Sequence, residues 1–148
     1  RTAWFVTFHG QLKAFDLSGP VAKEVKGNLT VGTAEGGSPE WRPGGWQVIA
    51  SDASGKLYVL MNPSGREGSH KDGGTEVWVV DTLKKARVAR IPLQGLGVSI
   101  EVTREDAPSL IVARADSGID VYDAATGKLK RSLGNTVAYN PLTLTAVQ

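Results

Sequence analysis

The sequence predicts an all-β fold: part of a β-propeller, with about three blades of four-stranded antiparallel sheet. Three observations predict it. A unit of an apolar strand ending in Asp, a tight turn and an amphipathic strand recurs at residues 12–25, 77–91 and 119–133. Asp81 and Asp123 stand 42 residues apart, within the roughly 40–50 residues of a four-stranded blade. No segment holds a helical period over enough turns for a helix.

The copies align on Asp16, Asp81 and Asp123. Four positions earlier stand Leu12, Val77 and Ile119; two earlier, Ala14, Val79 and Val121; one earlier, Phe15, Val80 and Tyr122. Only the position three before the Asp changes polarity, as Lys13, Trp78 and Asp120. Strands this apolar on both faces are expected to be covered on both. Asp123 is followed by Ala124-Ala125-Thr126-Gly127-Lys128. An Asp side chain can take backbone N–H groups two residues on, and Gly supplies the positive φ of a hairpin. The first copy has Gly19 one position earlier, and the second has Lys85 in place of Gly127, which predicts a different turn type there. The longer interval from Asp16 to Asp81 is one blade plus two Gly-rich insertions, 28–45 and 62–74.

The elements follow in order. A partial blade, 1–27, has strands at 4–8, 12–15 and 22–25 and lacks an innermost strand. A blade at 46–95 has its innermost strand at 46–51, the turn Asp52-Ala53-Ser54-Gly55, then strands at 57–61, 76–80 and 86–91. A blade at 97–134 has strands at 98–102, 110–113, 119–122 and 129–133, with a charged, exposed turn Arg104-Glu105-Asp106-Ala107-Pro108. Residues 142–147 alternate apolar residues and Thr, as a ring-closing strand would. This phase predicts a piece of a closed ring whose isolated 1–148 segment aggregates or stays partly unfolded, because repeat arrays need their neighbours.

Composition narrows the function. The chain is 41% apolar and 22% charged, globular values, with a net charge of +2. Its basic residues lie along outer strands (Lys84, Lys85, Arg87, Arg90; Lys128, Lys130, Arg131), where charge discourages strand addition. There is no basic stripe with interleaved aromatics, so no nucleic-acid partner is expected. No apolar run approaches the roughly 20 residues of a membrane span, and no membrane partner is expected. The absence of cysteine excludes zinc–thiolate sites. His9 and His70 make no metal-spaced pair, there is no G-x-S-x-G elbow, residues 65–71 lack Walker spacing, and Gly95-Leu96-Gly97 lacks a third glycine. Glu105 and Asp106 share a solvated turn, and Asn28-Leu29-Thr30 is a formal glycosylation sequon. No catalytic, cofactor-binding or metal-binding residue is predicted in this chain.

The distinctive segment is Pro39-Glu40-Trp41-Arg42-Pro43-Gly44-Gly45-Trp46-Gln47, at the entry to an innermost strand. Two readings are open. It is either a Trp-plugged connection covering the blade edge, with Arg42 bonded to a carbonyl or carboxylate, or a docking loop, since Trp and Arg are favoured interface anchors. The second insertion carries Arg66, His70 and Lys71 on a loop too long for a simple hairpin, which would suit an acidic partner surface.

Glu40-Trp41-Arg42-Pro43-Gly44-Gly45-Trp46-Gln47, then Leu57-Tyr58-Val59-Leu60, then the insertion with His70-Lys71, resembles the heavy chain of the tryptophan tryptophylquinone amine dehydrogenases. The segment looks more similar to the aromatic than to the methylamine enzymes, and the resemblance corresponds to the C-terminal part of that chain. The resemblance implies a seven-bladed propeller within a heterotetramer of two heavy and two light chains. It implies a periplasmic assembly that oxidises primary, aromatic amines to aldehyde and ammonia and passes electrons to an azurin-like blue copper protein. The tryptophan tryptophylquinone and the catalytic base then belong to the light chain. The resemblance thus implies a non-catalytic scaffold beside the remainder of the heavy chain, in which Trp41 and Trp46 are not the cofactor tryptophans. The expected light-chain contacts are Trp41, Arg42, Trp46, Arg66, His70 and Lys71. The alternative is a propeller interaction module without redox function.

Overall fold

The computed structural model describes residues 1–31, 40–134 and 145. Strands β1 (Thr2–Val6), β2 (Gln11–Asp16) and β3 (Lys23–Thr30) form an antiparallel sheet in that order. A second sheet contains β4 (Glu40–Pro43), β5 (Ile49–Ser51), β6 (Lys56–Gly65), β7 (Gly74–Asp81), β8 (Ala86–Val102), β9 (Ser109–Arg114), β10 (Ile119–Asp123) and β11 (Leu129–Leu133). Its order is β11-β10-β9-β8-β7-β6-β4, with β5 also on β6. The strand pairs are antiparallel, and the one helical element described is a 3₁₀ turn at Ser69–Lys71. The fold is all-β, as the sequence predicts.

Strand β8 joins two four-stranded meanders. Its first part pairs with β7 and its last part with β9, the exchange falling at Gly97. The first strands of the two meanders also touch. Gln47 and Ser99 form a parallel bridge, the Trp46 N–H donates to the Val98 carbonyl at 2.7 Å, and the Ile100 N–H donates to that of Gln47 at 2.9 Å.

Period-two alternation explains why β6 and β7 are apolar throughout. Leu57, Val59, Met61, Trp78 and Val80 pack against Leu12, Leu29 and Val31. The alternate residues Tyr58, Leu60, Val77 and Val79 pack against Ile100, Val102, Leu110, Val112 and Tyr122. Both faces are therefore covered. The variable position before each Asp has three local solutions. Lys13 is exposed, whereas Trp78 and Asp120 are fully buried. The Asp120 carboxylate is satisfied by Arg114 Nη1 and Ser132 Oγ, each at 2.6 Å.

The aspartate turns form as expected. Asp16 accepts the Ser18 N–H, Asp81 those of Leu83 and Lys84, and Asp123 those of Ala125 and Thr126, at 2.8–3.0 Å. One expectation is corrected: the Lys85 turn is not of another type. Lys85 takes φ 52°, close to the 72° of Gly127, and both turns use the same carboxylate bonds. The carboxylate bonds and the strand pairing hold a side chain in a conformation normally left to glycine.

These backbone bonds hold the carboxyls of Asp16, Asp81 and Asp123 below their ordinary value of 3.8. Between the folded and ordinary values the unfolded chain binds more protons, so stability rises with pH there. The contribution is complete above the ordinary value and is lost as pH falls through the lowered folded values. Resistance of the folded protein to urea should therefore fall as pH is taken from about 5 to about 2, and Asp123→Asn should flatten that dependence. An unchanged slope in the variant would sink the assignment.

Several boundaries differ from expectation. The innermost strand expected at 46–51 is strand only from Ile49, because Gly45 and Trp46 bend to reach β8. The strand expected at 4–8 ends at Val6, and the one expected at 22–25 runs on to Thr30. Neither Gly-rich insertion is simply loop. The first contains β4, which extends β6 by pairing Arg42 with Asn62 and Pro43 with Met61. Residues 142–147 and Pro39 lie outside the described residues, apart from Thr145.

Candidate functional site

The two insertions converge because Gly44, Gly45, Gly73 and Gly74 remove side chains where backbones cross. A Cβ on Gly45 would lie 2.6 Å from the Val98 carbonyl oxygen, and one on Gly73 would lie 2.5 Å from that of Gly97. A Cβ on Gly44 would lie 2.8 Å from the Gly73 carbonyl oxygen, and one on Gly74 would lie 2.7 Å from that of Met61. The Gly45 N–H donates to the His70 carbonyl at 2.9 Å, tying the first insertion to the second.

Strand alternation sends Trp41 and Arg42 of β4 to opposite faces. Trp41 packs against buried Trp78, with ring centroids 5.1 Å apart and the planes tilted by 41°. Arg90 lies 4.9 Å over both rings and Arg87 lies 4.4 Å over Trp78. Glu76 accepts from Trp78 Nε1 at 2.8 Å and takes Arg90 in a two-pronged pair at 2.7 and 3.0 Å. Burial pushes the Glu76 carboxyl up, but the bonds from Arg90 and Trp78 outweigh it and leave it lowered.

Arg42 is also turned inward. Its guanidinium covers the Phe8 ring at 4.8 Å, and its Nε donates to Glu40 at 2.8 Å. Its buried Nη1 sits 3.5 Å from Glu67 without hydrogen-bond geometry. Trp41 and Arg42 thus make the internal contacts of a covering connection.

Trp46 behaves differently. It is 47% exposed on a backbone fixed by its bond to Val98, and Lys71 Nζ stands 4.7 Å over its ring. His70 is exposed and meets the Phe8 ring edge-on at 5.9 Å. Beside them a cleft of about 200 Å3 is lined by Val6, Phe8, Pro43, Val48 and His70. Arg66 points to solvent and reaches Asp72 only at 4.0 Å, while its backbone is clamped by Ser69 Oγ. The structure therefore brings Trp46, His70 and Lys71 together, sets Arg42 behind them and Arg66 on the same loop, and places Trp41 in a different cluster.

Sequence reading missed Phe8, whose ring links Arg42 to His70. Its one signal was its place at the end of an apolar strand. A second cleft, of about 430 Å3, is bordered by Asp52, Lys56, Tyr58, Glu105, Asp106 and Pro108. There the Tyr58 hydroxyl donates to Asp52, and burial first, then the Asp52 charge, pushes its pKa up. Among the described residues no group of three or more His, Asp or Glu side chains is placed to hold a metal ion, and no helix is long and apolar enough to cross a membrane.

A family model described as methylamine dehydrogenase heavy chain matches residues 1–147. The methylamine dehydrogenase heavy chain of Methylophilus methylotrophus is 33% identical over 129 residues, 86% of this chain and 31% of that protein. That of Methylobacillus flagellatus is 36% identical over 90 residues, 60% of this chain and 22% of the relative. That of Paracoccus versutus is 30% identical over 135 residues, 90% and 31%. The chain spans about a third or less of the length of these relatives. Among solved structures, Kuenenia stuttgartiensis hydrazine synthase matches with a TM-score of 0.56 at 19% identity, covering 90% of this chain and 32% of that one. A likeness at that identity bears on fold alone.

Proposed function

The chain belongs to the methylamine dehydrogenase heavy chain family, and from that premise we propose that it is a non-catalytic part of the heavy subunit of a quinoprotein amine dehydrogenase. The match over residues 1–147 carries the reading. The two meanders and the preceding three-stranded sheet are then successive blades of a seven-bladed propeller, and the remaining blades come from the rest of the heavy chain. Two-sided burial of β6 and β7 supports this, since a ring of stacked sheets covers each sheet on both faces.

The partner is a light chain bearing tryptophan tryptophylquinone, which supplies two-electron oxidation of the amine carbon. The assembly converts a primary amine and water to an aldehyde, ammonia, two protons and two electrons. The electrons leave singly to a blue copper protein of azurin type, in the periplasm. In this scheme Trp41, Arg42, Trp46, Arg66, His70 and Lys71 form or support the face toward the light chain. An arylalkylamine is the proposed substrate, on the reading of the Glu40–Lys71 region as resembling aromatic amine dehydrogenase, while the relatives above bear the methylamine name.

The native protein tests both points. A cysteine-rich small subunit and quinone absorbance, bleached by phenethylamine at lower concentration than by methylamine, are the expected result. The reverse order of amines would reassign the substrate. Absence of both subunit and chromophore would leave an interaction module without redox function.

A further inference from the structure

We infer that the exposed group around Trp46 and Lys71 is the anchor of the light-chain interface, and that the partner presents a carboxylate to Lys71 beside an apolar side chain that enters the Phe8–His70 cleft. This rests on the subunit reading above and sharpens it, because the six candidate residues are not equivalent.

Charge separates them first. Arg42 is met by Glu40 and Glu67, and Arg66 has Asp72. Lys71 has no carboxylate within ion-pair distance among the described residues; its ammonium lies over the Trp46 ring instead. Among the described residues, then, the charge at this rim without a carboxylate beside it is positive and sits on an aromatic face. A carboxylate there would gain both the ammonium and the partial exclusion of water by the indole, so a complementary partner is acidic at this one point. The loop as a whole is not strongly basic, since Glu67 and Asp72 stand among Arg66, His70 and Lys71.

Shape points the same way. Interfaces draw most of their energy from a few aromatic or cationic anchors beside pockets that exclude water. Trp46 is large, 47% exposed, and mounted on backbone that the glycine crossings and the Val98 bond hold in place. The adjacent cleft of about 200 Å3 has Val6, Phe8, Pro43 and Val48 in its lining, and its volume suits one aliphatic or aromatic side chain. An anchor fixed in this way loses little freedom on binding. Trp41 and Arg42 contribute by holding β4 and Phe8 rather than by touching the partner.

The test uses the full-length heavy chain assembled with its light chain. Trp46→Ala and Lys71→Glu, each at an exposed side chain, should weaken light-chain binding by about tenfold or more while leaving the melting temperature of the heavy chain itself unchanged. The Lys71→Glu deficit should shrink as ionic strength rises, because an exposed pair is screened. Normal association with both variants would overturn this inference alone. A loss of association matched by a fall in the heavy chain's own melting temperature would also overturn it, since another part of the heavy chain would then cover the patch. A wild-type preparation without any small subunit would overturn the subunit reading as well.

Discussion

Trp78→Ala in the full-length heavy chain should lower unfolding stability by about 3–5 kcal/mol, as expected for removing a large aromatic from a close-packed site. The indole is fully buried between the first sheet and the first meander, against Leu12, Leu29, Met61 and Val80. Its removal deletes the tilted ring contact with Trp41 and the seats of two guanidinium groups, at 4.4 and 4.9 Å. Arg90 keeps its two bonds to Glu76, so no buried charge is orphaned and the penalty stays in the range of a cavity rather than a broken ion pair. Trp78→Phe keeps much of the packing and loses the bond from Nε1 to Glu76, so its cost should be smaller, about 1–2 kcal/mol. Urea midpoints of the two variants against wild type provide the measurement. Equal losses would mean the hydrogen bond dominates, and a loss under about 1 kcal/mol for Ala would mean the site relaxes instead of leaving a void.

The same position shows how far the sequence could be read. The repeat gave the register of β2, β7 and β10, and the lack of polar alternation in β6 and β7 predicted cover on both faces. Those signals are local and periodic, so they survive without coordinates. That Lys13, Trp78 and Asp120 occupy one register position was also visible, but their fates were not. They depend on what stands opposite: solvent and an exposed Glu24 for Lys13, Trp41 with two arginines for Trp78, and Arg114 with Ser132 for Asp120. The candidate site was legible as a segment but not as a geometry. Adjacent residues on a strand point to opposite faces, so Trp41 and Arg42 part company once β4 forms. Nothing in the composition of 28–45 announced a four-residue strand there, because β4 is made by pairing with β6 rather than by its own propensity. Phe8 escaped notice because its role lies in contacts with residues more than thirty positions away.

The sequence showed the two insertions only as Gly-rich, whereas the structure puts their glycines where backbones cross closely, and this sets the second large effect. Gly73→Ala should cost the full-length heavy chain about 2–4 kcal/mol, the sum of a left-handed backbone forced on a side chain and of overpacking. Gly73 has φ 81°, and its added Cβ would stand 2.5 Å from the Gly97 carbonyl oxygen, a backbone atom that cannot swing away. Gly68 is the matched control. Its φ is 85°, nearly the same, but nothing lies within 4 Å of an added Cβ. Gly68→Ala therefore carries the conformational cost alone, about 1 kcal/mol. The difference between the two variants isolates the crossing from the backbone angle. If both lose the same stability, the close approach of the 73 and 97 segments is not a constraint on the fold. If Gly73→Ala also loosens the light chain, the platform beneath Trp46 and Lys71 is rigid because these backbones touch, and the anchor depends on glycines that never meet the partner.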